Sequence, residues 1–444
     1  MMNWDKLLSI KRFGLEERII DEVHDRTQFQ RDYDRLIFSS PFRRLQDKTQ
    51  VFALPGSVFV HNRLTHSLEV SSVGRSLGNM VAKGLKNKGY SASPLLEEIG
   101  SVVATACLAH DLGNPPFGHS GENAISHYFS NGKGKHLRGL VTDLEWLDLT
   151  HFEGNANALR LLTHQFAGRR RGGFSMTYTS VASIIKYPFP SGAHPKKKNK
   201  YGFFQSEKIH FEQIVHELGL LQLNENRYAR HPLVYLVEAA DDICYQLMDI
   251  EDSHKLHILT TEKVKELFIG FLNTPFHKSR FVDICIEVTD PNEQIAYLRA
   301  SVIGVLVKAL SEVFIERQDE ILSGKFENPL IDYLSDDLKE AMKKCEETAF
   351  EYIYRHPSVV EVEIAGYKIL GALLEEFVTA VLNPDDYYSK MLLPFIPEQF
   401  KVDKLATGYT KILSVLDFIS GMTDVYALNL YRKIQGTGLS LKSL

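Results

Sequence analysis

The stretch IGSVVATACLAHDLGNPPFGHSGE, residues 99–122, decides how the rest of the chain is interpreted. Its apolar first half predicts a buried helix over 93–113, with a serine cap and a proline at the first helical position. His110 and Asp111 lie near the end of that helix, where burying both groups costs free energy unless each has a partner. A metal ion would provide that partner. A histidine at the negative end of the helix dipole is the alternative, and this segment alone leaves both interpretations open.

Two other segments favour the metal site. NRLTHS at 62–67 puts Arg63 and His66 three residues apart at a predicted helix start, and therefore on one face. EAADDICY at 238–245 places Asp241 inside an otherwise apolar helix. A mixed nitrogen and oxygen site of this kind suits Mn, Fe, Zn, Ni or Co and does not choose among them. The predicted ligands are His66, His110, Asp111 and Asp241.

Two further spacings indicate chemistry beside the metal. His119 and Glu122 are three residues apart at a predicted helix start, so the carboxylate can hold the imidazole in one tautomer and raise its basicity. A capping role for His119 over the preceding proline pair is the alternative. Tyr245 and Asp249 follow Asp241 at i+4 and i+8, so the three share one helix face. An ordinary buried hydrogen-bonded pair is the alternative there.

The patterning predicts an all-α protein with at most a small β-hairpin. Most segments show helical spacing, including one helix over 411–434, and a hairpin would fit the loop-rich interval 169–204. We expect a single large α-helical domain over 1–444. Within it, 60–255 would form the metal-binding core, and 256–444 would form a C-terminal helical region packed on that core. A second His-Asp dipeptide, at 24–25, lies in a polar stretch and predicts only a surface pair.

Composition excludes several classes of protein. The 444 residues carry 51 Lys+Arg against 56 Asp+Glu, a net charge of −5, which gives no overall nucleic-acid signature. No run approaches the ~20 apolar residues that a membrane span needs, and the N-terminus has no signal-peptide core. Four scattered cysteines without a paired motif fit a reducing compartment. The sequence therefore predicts a cytoplasmic protein without a membrane partner.

Ordered motifs along most of the chain resemble one family. The order H…HD…D is the signature of the HD-domain metal-dependent phosphohydrolases. The sequence motifs around these residues, over about residues 26–434, are more specific than this order. They resemble those of the bacterial deoxyguanosine triphosphate triphosphohydrolases, relatives of the human HD-domain dNTP triphosphohydrolase. The motifs are RDYDR at 31–35, FRRL at 42–45, KTQV at 48–51, HNRLTHSLEV at 61–70, HDLGNPPFGHSGE at 110–122, HFEGNANALRLL at 151–162, EAADDICY at 238–245 and ISGMTD at 419–424.

The resemblance implies an HD-domain helical fold and a reaction. Water would attack the α-phosphorus of a deoxynucleoside triphosphate (dGTP or several dNTPs), releasing deoxynucleoside and inorganic triphosphate. The implied cofactor is a divalent metal ion, with Mg, Mn, Zn, Ni, Co and Fe all open, and Mg is a further candidate on the triphosphate. A homo-oligomer is implied, and a second dNTP is a candidate activator.

Matching positions give the resemblance its site residues. His66, His110, Asp111 and Asp241 would hold the metal, and His119 and Glu122 would be the catalytic pair. The substrate would contact Gln50 at the nucleoside, Arg63 at the α-phosphate, Lys186, Tyr187 and Lys200 at the phosphates, Tyr245 at the deoxyribose and Asp249 at the 3′-hydroxyl. Lys196, Lys197 and Lys198 are alternatives to Lys200. One departure is Val425, where relatives are expected to carry arginine, and it argues against strict guanine preference.

Two competing functions stay open at this level. Another HD-type nucleotidase or phosphodiesterase would share the metal but not the triphosphate chemistry. A module that binds single-stranded DNA through arginines 169–171, with Phe174 and Tyr178 as stacking platforms, is the other. As a sole function, that module leaves the four predicted metal ligands unexplained.

Overall fold

The computed structural model describes most of the chain. The described residues are 1–17, 26–52, 60–169, 172–194, 199–272 and 274–438. The predicted surface pair at 24–25, the basic residues Arg170 and Arg171, and the lysines at 196–198 lie outside them.

Helices dominate the described residues, which confirms the all-α prediction. The first half contains α1 Trp4–Leu7, α2 Gln28–Ile37, α3 Ser40–Arg44, α4 Arg63–Asn87, α5 Ile99–Ala109, α6 Gly118–Ser130, α7 Asp143–Thr150, α8 Gly154–Thr163, α9 Tyr178–Ala182 and α10 Lys208–Leu218. The second half contains α11 Val234–Lys255, α12 Thr261–Ile269, α13 Pro275–Glu287, α14 Pro291–Glu316, α15 Gln318–Leu322, α16 Asp336–Thr348, α17 Pro357–Leu382, α18 Tyr387–Leu392, α19 Gly408–Ser420 and α20 Asp424–Ile434.

Three local predictions were wrong. The hairpin lies outside 169–204: β1 Gln222–Asn224 pairs antiparallel with β2 Arg227–Tyr228, and the Asn224 side chain accepts a hydrogen bond from the backbone of the turn. Helix α5 ends at Ala109, four residues earlier than predicted, so His110 and Asp111 lie on the loop that follows it. The predicted helix over 411–434 is two helices, because Thr423 caps a new helix after a break at 421–423.

Helices α4 and α5 pack closely against each other at the centre of the first apolar cluster. A Cβ on Gly78 would lie 2.7 Å from the Cα of Gly100, so only glycine lets these two helices approach so closely. Helices α2, α11 and α14 pack around this pair and bury a large apolar cluster. A second apolar cluster joins α6, α17, α19 and α20. No helix of the described residues is long and apolar enough to cross a bilayer.

Candidate active site

Three side chains of types that can ligate a metal ion converge at one place in the structure. His66 projects from the first turns of α4, while His110 and Asp111 follow the end of α5, and one ligand atom from each lies within 4.8 Å of the others. Asp241 on α11 is the fourth predicted ligand, and its Oδ1 lies 3.1 Å from His66 Nε2 and 3.5 Å from His110 Nε2. All four predicted ligands therefore face one point.

His110 presents a free nitrogen to that point. Its Nδ1 donates to the backbone oxygen of Cys107 at 2.6 Å, which leaves the lone pair on Nε2 in the neutral ring. That Nε2 is buried and has no hydrogen-bond partner among the described residues. Without a metal ion, burial lowers the His110 pKa, but Asp111 and Asp241 outweigh it and raise the pKa to about 9, so a cation would bind Nε2 by displacing its proton. An orphaned buried nitrogen beside two carboxylates is the arrangement that a cation would satisfy.

Arg63 holds one carboxylate of this cluster. The Asn62 side chain caps α4 and so fixes Arg63 at the first helical position. Arg63 Nη1 donates to Asp111 Oδ2 at 2.6 Å, and both side chains are buried. Burial would raise the Asp111 pKa, but Arg63 and the neighbouring histidines lower it below the ordinary value. Gly118 leaves room for the guanidinium, since a Cβ there would lie 2.6 Å from Nη2.

His119 and Glu122 form a hydrogen-bonded pair on α6. His119 Nδ1 lies 2.9 Å from Glu122 Oε2, and the other carboxylate oxygen accepts the backbone N–H of Gly154 at 2.8 Å. Glu122 is buried, whereas 80% of the His119 side chain is exposed toward the cavity. The hydrogen bond that the His119 ring donates to Glu122 raises the pKa of His119 above its ordinary value. Glu122, which orients the ring, is therefore held in place, and the imidazole of His119 is accessible.

The predicted phosphate-binding lysines face the same cavity, each paired with an acid. Lys186 Nζ lies 3.0 Å from Glu238, and Lys200 Nζ lies 2.7 Å from Glu153. Burial alone would lower both lysine pKa values, but the carboxylates raise them, so both ammonium groups stay charged. Tyr187, between them in sequence, lines the cavity as well.

The cavity has a volume of about 460 Å³ and collects twelve of the thirteen predicted site residues on its wall. Buried polar atoms without a partner among the described residues also face it. Besides His110 Nε2, these are Gln50 Oε1 and Arg63 Nε. Unsatisfied polar groups of this kind mark a place where a ligand completes the hydrogen bonding.

Asp249 is the predicted residue that does not line the cavity. It lies behind Tyr354, whose hydroxyl donates to its Oδ2 at 2.8 Å, and the Tyr354 ring stacks on Tyr245 with centroids 5.9 Å apart. Burial raises the pKa of Asp249 to about 8, and Asp252 and Asp241 add to that rise. The direct contact of Asp249 with a 3′-hydroxyl therefore stays a prediction. Tyr354 and Tyr245 form the wall in front of it.

Sequence reasoning missed the residues that fix the loop after α5. Lys48 is buried, and its ammonium donates to the backbone oxygens of Asn114 and Ser420 at 2.6 and 2.7 Å. Asp424 accepts the backbone N–H groups of Thr49 and Phe117 at 2.9 and 3.0 Å. Lys48 and Asp424 each belong to a quoted motif, but no local pattern pairs residues almost four hundred positions apart. Together they tie the C-terminal helices to the loop that carries Asp111.

Comparisons with known proteins agree with this geometry. The HD domain family matches residues 63–166, and the phosphohydrolase-associated domain family matches residues 333–433. The chain is 38% identical to a deoxyguanosinetriphosphate triphosphohydrolase-like protein of Synechocystis, covering 99% of this chain and 100% of the relative. It is 37% identical to a protein with the same description from Pseudomonas aeruginosa, over 98% of this chain and 99% of the relative. It is 30% identical to the deoxyguanosinetriphosphate triphosphohydrolase of Yersinia enterocolitica, again covering 98% and 99%.

Proposed function

The chain belongs to the deoxyguanosinetriphosphate triphosphohydrolase family of HD-domain enzymes, and we propose that it hydrolyses deoxynucleoside triphosphates to deoxynucleoside and inorganic triphosphate in a metal-dependent reaction. The observation that carries this proposal is the wall of the 460 Å³ cavity, where metal ligands, phosphate-binding cations and a histidine–glutamate pair meet. The three orphaned polar atoms on the same wall, from Gln50, Arg63 and His110, support the binding of a polar ligand there.

We assign the metal to His66, His110, Asp111 and Asp241. When bound, a divalent cation would neutralise charge on the α-phosphate and polarise the water that attacks it. The protein's part is to fix the ligands: Cys107 sets the His110 tautomer, and Arg63 holds Asp111 in its ionised form. Mixed nitrogen and oxygen ligands suit Mn, Zn, Ni, Co and Fe, and the family resemblance leaves Mg open as well. Elemental analysis of the purified protein would identify the metal.

The cations would orient the triphosphate. Arg63 keeps Nε unpaired, and its planar guanidinium suits a phosphate oxygen beside the metal. Lys186 and Lys200 lie farther along the wall, where they would contact the β- and γ-phosphates. Their present partners, Glu238 and Glu153, would share these lysines with the incoming anion.

His119 would move the proton of the reaction. With Glu122 on Nδ1, the free Nε2 is available to the 5′ oxygen that leaves or to the water that attacks. Glu122 favours the charged imidazole and would therefore assist protonation of the leaving oxygen. A raised His119 pKa keeps a proton available near neutral pH.

The aromatic pair would select the sugar. A nucleotide with its α-phosphate near Asp241 would run its deoxyribose along Tyr245, one helical turn away. Tyr354 stacks on Tyr245 and narrows the same wall, leaving a 2′-hydroxyl without a partner. The cost of such an unpaired hydroxyl, roughly 1–3 kcal/mol, corresponds to a preference for dNTPs over NTPs of about tenfold or more.

The test is a product analysis. The protein is incubated with each dNTP, singly and mixed, with Mg²⁺ or Mn²⁺, and the products are separated by ion exchange. Inorganic triphosphate as the sole phosphate product supports the proposal. Release of phosphate or pyrophosphate would instead indicate another HD-type nucleotidase or phosphodiesterase. Faster turnover of a dNTP in the mixture than alone would indicate an activating nucleotide.

The remaining partner predictions need separate measurements. A homo-oligomer is tested by light scattering of the full chain. Single-stranded DNA binding is tested through its salt dependence, since contacts with phosphates give a steep loss of affinity as salt rises. Of the basic cluster predicted for DNA, Arg169 is described, and it donates to the side chain of Gln399.

A further inference from the structure

A second cavity lies directly behind the wall of the active site. It has a volume of about 300 Å³, roughly ten water volumes. Tyr187 and Lys200 line both cavities, so these two side chains form a shared partition. A group held by Lys200 on the active-site side is therefore next to the second cavity.

The β-hairpin builds the far side of this cavity. Tyr228 of β2 donates its backbone N–H to the oxygen of Pro188 at 3.1 Å, which docks the hairpin beside the partition. The hairpin thereby presents Arg227 and, two residues beyond it, Arg230 to the cavity. The guanidinium of Arg230 lies 5.3 Å from the ring centroid of Tyr235, which fixes its direction.

The two cavities differ in charge. Among the described residues, three lysine or arginine side chains line the active-site cavity against six carboxylates. Three also line the second cavity, where Glu327 is the one carboxylate of the described lining, while Lys200 and Arg230 pair with Glu153 and Glu238 on the active-site side. Glu327 pairs with Arg227 at 3.0 Å, and its side chain is 60% exposed, so water screens it. A free polyanion is therefore favoured in the second cavity over the first.

A buried carboxylate connects the cations of the two cavities. Glu238 Oε1 lies 3.0 Å from Lys186 on the active-site side, and Oε2 lies 3.1 Å from Arg230 on the other. An anion that binds Lys186 competes with Glu238 for that lysine, and Glu238 keeps its contact with Nη1 of Arg230. The other N–H groups of the planar Arg230 guanidinium can donate to a phosphate oxygen.

We propose that the second cavity binds a linear polyphosphate anion and receives the inorganic triphosphate that hydrolysis releases. The proposal rests on the proposed function for the source of the anion. Once its nucleoside has gone, triphosphate in the active-site cavity faces four glutamates besides the two aspartates assigned to the metal, whereas Lys200 offers it a contact that is shared with the more cationic cavity. Arg227 and Arg230 then supply the charge-assisted hydrogen bonds.

Titration calorimetry with sodium tripolyphosphate tests the site on the full-length protein. Arg227→Gln removes one guanidinium from the second cavity without touching the active-site wall, and we expect the affinity of one binding event to fall about tenfold. Glu327→Gln removes the carboxylate that pairs with Arg227 and should raise the affinity of the same tripolyphosphate binding event. Arg432→Gln, an exposed site on α20 outside both cavities, is the matched control and should bind like the wild type. The first-turnover rate of dNTP hydrolysis should be unchanged in all three.

The outcomes separate the two proposals. Equal tripolyphosphate affinity in the wild type and both cavity variants would overturn the site. Loss of dNTP binding, with tripolyphosphate binding intact, would also overturn it and identify a nucleotide site instead. If Arg227→Gln weakens tripolyphosphate binding but the wild type makes no triphosphate from any dNTP, the anion site stands and the proposed reaction fails.

Discussion

The Glu122→Gln substitution gives the sharpest test of the proposed catalytic pair. Glu122 accepts two hydrogen bonds, from His119 and from the backbone of Gly154, and glutamine keeps the size and one acceptor oxygen. The change is therefore from a charged to a neutral acceptor. A hydrogen bond to a charged group contributes about 1.5–3 kcal/mol and a neutral one about 0.5–1.5, a difference of roughly 1 kcal/mol.

This difference sets the size of the expected effects. About 1 kcal/mol is somewhat under one pKa unit, and the 80% exposure of the His119 side chain reduces it through screening by water. We expect the kinetic pKa of His119 to move down by about half a unit and kcat to fall about threefold. The shift is toward lower pH whether His119 acts as acid or base, because the carboxylate stabilises the protonated ring in both roles.

The assay is the pH dependence of kcat at saturating dNTP, with bound metal measured by elemental analysis. His119→Ala is the companion variant and should lower kcat by about 10²–10⁴ with metal content intact. A pH profile and kcat equal to those of the wild type in Glu122→Gln would refute the pairing. Loss of metal in His119→Ala would instead make this residue a ligand or a structural histidine.

Four further predictions concern the metal, the sugar wall and the core. Asp241→Ala should abolish turnover and lower bound metal, whereas Asp242→Ala should retain metal, because neighbouring side chains on a helix point about 100° apart; equal metal content in both variants would contradict the ligand assignment. Tyr354→Phe should reduce the preference for dNTPs over NTPs severalfold in competition assays, since its hydroxyl no longer anchors the ring, and an unchanged ratio would remove it from sugar selection. Asp249→Asn should reduce the pH dependence of the melting temperature between about pH 4 and 8. In the wild type, folding raises the pKa of this carboxyl from about 3.9 to about 8. The stability that it contributes is fully present below about pH 3.9 and is lost as the pH rises to about 8. Arg160→Met should destabilise the protein by about 3–5 kcal/mol in urea unfolding, because it leaves two buried carboxylates unpaired.

The sequence was sufficient for the helical class and for most of the site, because both depend on local spacing. His119 and Glu122 are three residues apart in one helix, and their hydrogen bond follows from that spacing. The metal cluster needed more, since Asp241 comes from a helix far along the chain. No spacing joins it to His66; the acidic residue inside an apolar helix suggested it, and the resemblance supported the assignment. The helix boundaries depend on capping residues. The apolar residues of 411–434 follow one helical period, but Thr423 caps a new helix, so α20 begins after a break.

What the sequence could not provide is the set of contacts between distant elements. Tyr354 follows a short π-helix at 349–353, and no spacing relates it to Asp249, whose side chain it covers. The basic cavity behind Lys200 depends on where the hairpin docks, and that position depends on contacts with distant segments, among them the hydrogen bond to Pro188, the ion pair with Glu327 and the ring contact with Phe211. Long-range packing of this kind has no periodic signal in the chain.

The buried contacts of Lys48 and Asp424 bear on how this protein can be engineered. The stretch that matches the HD domain, 63–166, cannot be excised as a working module, because the loop bearing Asp111 is held by hydrogen bonds from outside it. Truncation before 420 would remove one of the two backbone acceptors of the buried Lys48 and leave only the oxygen of Asn114. Chimeras between relatives should therefore exchange the 48–49 segment, the 110–122 loop and the 420–424 turn as one unit, whatever their distance in the gene.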